Sequence, residues 1–229
     1  MHVINSTRFR ILISLFIVFI LWQVFRRWSN QDAPENNDNN TKESASYGPV
    51  IVTVFYEALC PDSKYFIIKQ LQPAFYKAPA LIDFQLIPYG KATTSTNSDG
   101  SLSFLCQHGE IECNANIYHA CCIEAIDEPK VLIDVIACMI RNNLLPKEAM
   151  QKCTREHQVE WEPIQKCYDS PHGAELLKMH GELTHALRPS VTFIPTITLN
   201  QSQGRQASIL KDLLQEVCKV AGGHPDVCQ

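Results

Sequence analysis

The chain has 229 residues, 45% of them hydrophobic, and a formal net charge of -4. That length suits one domain plus a leader, the apolar fraction is enough for a core, and no basic surplus points to nucleic acid as a partner. Ten cysteines, at 60, 106, 113, 121, 122, 138, 153, 167, 218 and 228, indicate an oxidising compartment, because cytosolic thiols are kept reduced.

Ile11 to Phe25, ILISLFIVFILWQVF, is strongly apolar and follows Arg8 and Arg10. Arg26, Arg27 and Trp28 come next, and no small-residue cleavage site appears before Ala33. This favours an uncleaved signal-anchor over a signal peptide, although the run is short against the roughly 20 apolar residues of a spanning helix. Entry into the secretory pathway is expected either way, with membrane attachment through residues 11–25 in the anchored case. Residues 29–48 are polar and low in complexity and read as a disordered spacer. The expected organisation is therefore a leader (1–28), a spacer (29–48) and a folded domain (49–229). Asn39 and Asn200 each open a glycosylation sequon.

PVIVTVFY, Pro49 to Tyr56, is rich in β-branched and aromatic residues and reads as a buried strand. From Pro61 the pattern turns helical: Phe66, Ile67, Leu71 and Phe75 share one face, and proline is well placed in a first helical turn. LIDFQLIP, Leu81 to Pro88, is a second strand, so the unit is a parallel β-α-β crossover. Residues 90–112 read as a loop, and a cysteine-laced helical region follows over about 114–187. VTFIPTITLN (191–200) returns to strand character, and a helix near 207–220 closes the chain. The fold class is α/β, one domain with a cysteine-rich helical insertion.

Cys60 stands between the first strand and the first helix. Unpaired N–H groups at a helix start stabilise a thiolate, the species that attacks disulfides. The competing reading is a structural disulfide. Three residues on, where a redox Cys-x-x-Cys pair has its second cysteine, stands Ser63. Ile194-Pro195 offers a second element: in redox folds of this type a cis-proline loop faces the active-site helix and presents backbone groups to an extended peptide.

Cys106 to Cys121 reads CQHGEIECNANIYHAC. It matches in full the pattern C-Q-H-G-x-x-E-C-x-x-N-x-x-x-x-C and resembles the gamma-interferon-inducible lysosomal thiol reductase family. The resemblance extends from about Val50 to Cys228. It implies a thioredoxin-like fold with an inserted helical segment, and reduction of protein disulfides in acidic endolysosomal compartments or outside the cell. Cys60 matches the first active-site cysteine of that family and Ser63 departs from the second. Zinc on Cys106, His108, Cys113 and Cys121 is the rival explanation, but the spacings are not those of common structural zinc motifs. A disulfide framework is expected instead, with no metal and no cofactor; His108 reads as structural.

With Cys60 free, nine cysteines cannot all pair within one chain. Cys122 lies outside the family block and reads as a small buried apolar residue, against a partner for another chain or a stand-in for the resolving cysteine. Cys106, Cys113, Cys121, Cys138, Cys153, Cys167, Cys218 and Cys228 are then expected in four bridges of unassigned connectivity. The expected function is thiol–disulfide exchange with disulfide-containing proteins or peptides by a monothiol mechanism through Cys60. A small thiol such as cysteine or glutathione completes the cycle, with the Ser63 hydroxyl donating to the thiolate. The rivals are a binding protein that holds cysteine-containing clients at Pro195, and a disulfide-stapled scaffold with Cys60 permanently bonded.

Overall fold

The computed structural model describes residues 19–23, 48–222 and 226–228. The chain divides into two units, Met1–Ala45 and Ser46–Gln229. Of the first unit, residues 19–23 are described and are helical. The rest of the segment 11–25, nearly all of the spacer and the Asn39 sequon lie outside the described residues. Among the described residues no helix is long and apolar enough to cross a membrane.

The second unit begins with β1 (Val50–Tyr56), the middle strand of a three-stranded sheet. It is buried on both faces, with Val52, Val54 and Tyr56 at zero exposure on one and Thr53 and Phe55 buried on the other. β2 (Ile82–Pro88) pairs parallel to it from Val50↔Ile82 to Tyr56↔Pro88. A parallel pair needs a crossover helix, which α1 (Pro61–Phe66) and α2 (Gln72–Lys77) supply through the π-helical turn Ile67–Leu71. Pro73 explains that turn: it has no N–H to give the Lys69 carbonyl, and its ring would press on it. Widening the coil lets Gln72 N–H bond Ile67 C=O instead. Phe66, Ile67, Leu71 and Phe75 remain buried against the sheet.

Residues 90–112, expected as loop, contain an antiparallel hairpin, β3 (Thr93–Thr96) with β4 (Leu102–Leu105). Its threonines suit a strand, and the polarity that suggests a loop reflects two largely solvent-facing strands. The helical insertion follows as α3 (Glu110–Ala125), α4 (Pro129–Arg141), α5 (Pro146–Glu156), α6 (Glu162–Asp169) and α7 (Pro171–Ala186). The chain then returns through β5 (Thr196–Leu199), which pairs antiparallel to β1. This strand is shorter than the expected 191–200: its pairing with β1 begins at Thr196, just after the cis Ile194–Pro195 bond. The closing helix is two pieces, α8 (Gln206–Lys211) and α9 (Leu213–Val220). Asp212 breaks it at φ -150° and ψ 85° and accepts from Gln215 N–H, at 3.1 Å, as the cap of α9.

Four disulfides staple this arrangement. Cys106–Cys113 closes the loop into α3, Cys121–Cys167 ties α3 to α6, Cys138–Cys153 ties α4 to α5, and Cys218–Cys228 ties α9 to a final 3-10 turn (Asp226–Cys228). By loop closure alone, the separations of 15 and 46 residues correspond to about 3 and about 4 kcal/mol of stabilisation.

Candidate active site

β1 ends at Tyr56, and a tight turn closed by Cys60 N–H to Glu57 C=O (3.3 Å) carries the chain into α1. Cys60 is the N-cap of α1, extended at φ -67° and ψ 124°, and its carbonyl accepts the first helical bond, from Lys64 N–H at 3.0 Å. Pro61 occupies the first helical position, where its fixed φ favours the helix and its missing N–H costs nothing. The thiol is free, and the residue is 8% exposed. It donates to the Ile194 carbonyl at 3.8 Å, a long contact that places the cis-Pro195 loop against the sulfur.

The turn is held from behind. Ser63, fully buried, accepts the Glu57 N–H on its hydroxyl oxygen at 3.3 Å, which leaves the hydroxyl proton free to donate. Asn116 of α3, also fully buried, accepts the Ala58 N–H on Oδ1 at 3.0 Å. A side chain of the insertion therefore braces the residues that carry Cys60. Asn116 is one of the eight fixed positions of the 106–121 block, and His108, Gly109 and Glu112 of that block lie close by. Gly109 caps α3 at φ +85°, a conformation glycine adopts without penalty. Glu112 accepts the His108 N–H on Oε1 (3.0 Å), while its Oε2 lies 2.6 Å from His108 Nδ1.

Glu57 completes that cluster. It is 1% exposed; its Oε1 accepts the Lys91 N–H at 2.8 Å, and its Oε2 lies 3.5 Å from His108 Nδ1 without a hydrogen-bond partner. Burial pushes the Glu57 carboxyl above its usual range, the Lys91 amide pulls it back, and the neighbouring Glu112 adds to the rise. The side chain lies over Gly90, at φ +63°, where a Cβ would come within 2.1 Å of Glu57 Cγ. Sequence reasoning misses Glu57 and reads His108 as merely structural. The available signal is that Glu112 and Asn116 lie four apart and so share one face of α3.

The zinc set weighed from the sequence is not a metal centre, because Cys106 and Cys113 bond each other and Cys121 bonds Cys167. Cys122 is a free, fully buried thiol against Met139 Sδ at 3.7 Å, and burial pushes its pKa far up. That makes it a poor nucleophile. Deeper in the core, His119 is fully buried between Tyr56 Oη and Asn143 Nδ2, each at 2.9 Å. An amide nitrogen only donates, so Nε2 accepts and Nδ1 carries the proton. Burial holds the His119 pKa down to about 3, and that of His180 to about 4. Asn200, at the end of β5, is exposed, and its Oδ1 accepts the Ile51 N–H at 2.9 Å.

A lone free cysteine at the start of the crossover helix, met by a cis-proline loop, defines the class: thioredoxin-fold thiol–disulfide oxidoreductases. The fold is shared with BdbD of Bacillus subtilis in its oxidised crystal form, at a TM-score of 0.56 and 15% identity over 78% of this chain and 90% of that one. The family model described as gamma interferon inducible lysosomal thiol reductase (GILT) matches residues 51–157. The gamma-interferon-inducible lysosomal thiol reductase of Carassius auratus is 33% identical over 185 residues, covering 79% of this chain and 72% of that protein. A gamma-interferon-inducible lysosomal thiol reductase-like protein of Anopheles gambiae is 31% identical over 193 residues, covering 78% and 80%. The chain belongs to the gamma-interferon-inducible lysosomal thiol reductase family.

Proposed function

We propose that the chain reduces disulfides of proteins or peptides by a monothiol mechanism through Cys60. The observation that carries this reading is the pairing of a free Cys60 at the helix start with the Ile194 carbonyl 3.8 Å away, while Ser63 occupies the resolving position. A substrate strand lying along the Ile194–Pro195 loop brings its disulfide to the sulfur. The Cys60 thiolate attacks one substrate sulfur; the substrate S–S bond breaks, a Cys60–substrate disulfide forms, and the other substrate sulfur leaves as a thiolate and takes a proton. Ser63 has no sulfur with which to break the mixed disulfide. A small thiol attacks Cys60 Sγ and frees the second substrate thiol, and a second small thiol then regenerates the Cys60 thiolate. One substrate disulfide and two thiols thus give a substrate dithiol and one small-molecule disulfide.

The experiment is the rate of peptide-disulfide reduction against the concentration of cysteine or glutathione. The expected rate rises with thiol and vanishes in Cys60→Ser. A rate at every thiol concentration equal to that of Cys60→Ser transfers the site to the second reading, a peptide-binding protein, which the loss of a cysteine at position 63 favours. Two features support a secretory or endolysosomal lumen as the place of action: four disulfides, and an exposed Asn200 whose amide nitrogen is left for a glycan while Oδ1 holds Ile51. Residues 11–25 are proposed to deliver the domain there. Chain made in a secreting cell is expected to lose mass on peptide-N-glycosidase treatment; an unchanged mass contradicts luminal delivery.

A further inference from the structure

Behind the redox turn, three side chains from three separate segments converge on one point. Glu57 follows β1, His108 precedes α3, and Glu112 lies in the first turn of α3. Glu57 Oε2, His108 Nδ1 and a Glu112 oxygen all lie within 4.8 Å of one another. Both carboxylates are buried, Glu57 at 1% and Glu112 at 0% exposure, whereas the His108 side chain is 34% exposed. Two buried carboxylates facing each other carry a large desolvation and repulsion cost unless a proton or a cation joins them, and the one ring at ion-pair distance from both, His108, is part-exposed.

The cluster is also pre-oriented. One oxygen of each carboxylate is fixed by a backbone N–H, Lys91 for Glu57 and His108 for Glu112, which leaves the other oxygen directed inward. Such hydrogen bonds around the ligands are what orients a metal's coordination shell. Glu57 Oε2 has no hydrogen-bond partner, although it is wholly removed from water. We infer that Glu57, His108 and Glu112 form a binding site for a divalent first-row cation of the Zn2+ type, distinct from the Cys60 site. One imidazole and two carboxylates suit zinc or manganese better than the all-oxygen shells of calcium and magnesium. Ligand atoms around 2.0–2.2 Å from an ion stand roughly 3–3.5 Å apart. The 3.5 Å between His108 Nδ1 and Glu57 Oε2 already fits, and the 2.6 Å to Glu112 Oε2 opens by a small movement of the part-exposed His108. Three protein ligands leave the fourth position of a tetrahedral ion open for water.

The ion clamps the turn that carries Cys60 to the start of α3, the same two segments that Asn116 joins. Sequence alone gives no hint of this metal, because it groups His108 with cysteines, whereas its actual neighbours are glutamates. The test is calorimetric titration of Zn2+ into the full chain carrying Cys60→Ser, which removes the competing thiolate. One saturable equivalent is expected, with an upward shift in unfolding temperature. Glu57→Gln and His108→Ala should each weaken it by at least about ten-fold, the loss that follows removal of even an outer partner of a ligand. His108→Ala trims a part-exposed side chain, so it remains informative if Glu57→Gln fails to fold. No saturable binding, or binding unchanged in His108→Ala, overturns the site.

Discussion

Ser63→Cys is expected to make reduction independent of added small thiol at the release step, and faster than wild type. The substitution recreates a Cys-x-x-Cys pair across the first turn of α1, with Cys60 already at the cap. Effective molarities of oriented intramolecular reactions reach roughly 10^5–10^8 M, so even a poorly aligned thiol should outrun a millimolar external one by about 100-fold or more. The cycle then ends in a disulfide between Cys60 and the introduced thiol, and external thiol is needed only to reduce it. Position 63 is fully buried and its hydroxyl accepts the Glu57 amide, a role a sulfur fills weakly. A modest loss of stability is therefore expected beside the kinetic gain. Single-turnover release of substrate from a preformed mixed disulfide, with no added thiol, is the measurement. Release no faster than in wild type would show that the turn no longer supports dithiol geometry.

Unfolding free energy is expected to fall as pH drops from about 7 to about 5, by about 2 kcal/mol for each of His119 and His180. In the unfolded chain these histidines take up a proton near pH 6.5, whereas burial holds them to about 3 and about 4 in the fold. The unfolded state therefore binds more protons throughout that window, and stability is lost as pH falls through it. The loss begins near 6.5 and ends near 4 for His180 and near 3 for His119. Glu57 acts in the opposite sense, since its raised carboxyl favours the fold as pH decreases. His180→Asn isolates the effect: the His180 Nδ1 has no partner to lose, and the variant should show a fall about 2 kcal/mol smaller than wild type. Denaturant unfolding with disulfides intact, at both pH values, is the measurement. Equal pH slopes in the two proteins would contradict the assignment of His180 as a buried neutral ring. In an acidic lumen the disulfides offset this loss.

The parts of this fold that are legible from sequence are those set by local pattern. β-Branched runs mark β1 and β2 to within a residue, and Pro61 after Cys60 marks the helix start. The hairpin at 93–105 escapes because its strands are four residues each and mostly exposed: Thr93–Thr96 is wholly polar, and the alternation in Leu102–Leu105 is too short to stand out. The break at Asp212 escapes because the apolar face continues through it from Ile209 to Leu213 and Val217. Cys60, Ser63 and Pro195 are readable because position relative to a strand and a helix carries chemical meaning. Glu57, by contrast, acts through residues about fifty positions away, His108 and Glu112, and no local pattern announces such a meeting. Disulfide connectivity is beyond reach for the same reason: Cys121 and Cys167 face each other only once α3 packs on α6.

Everything proposed for the redox site depends on Cys60 attacking a substrate disulfide. Intact-mass analysis of the native full chain after exposure to an activated peptide disulfide, without added thiol, tests this directly. The account predicts one adduct of a single peptide half, mapped to Cys60, stable until cysteine or glutathione is added and absent in Cys60→Ser. Cys122 should remain unmodified, because it is buried in the core against Met139. An unmodified chain across acidic to neutral pH, or an adduct that persists in Cys60→Ser, would contradict the account.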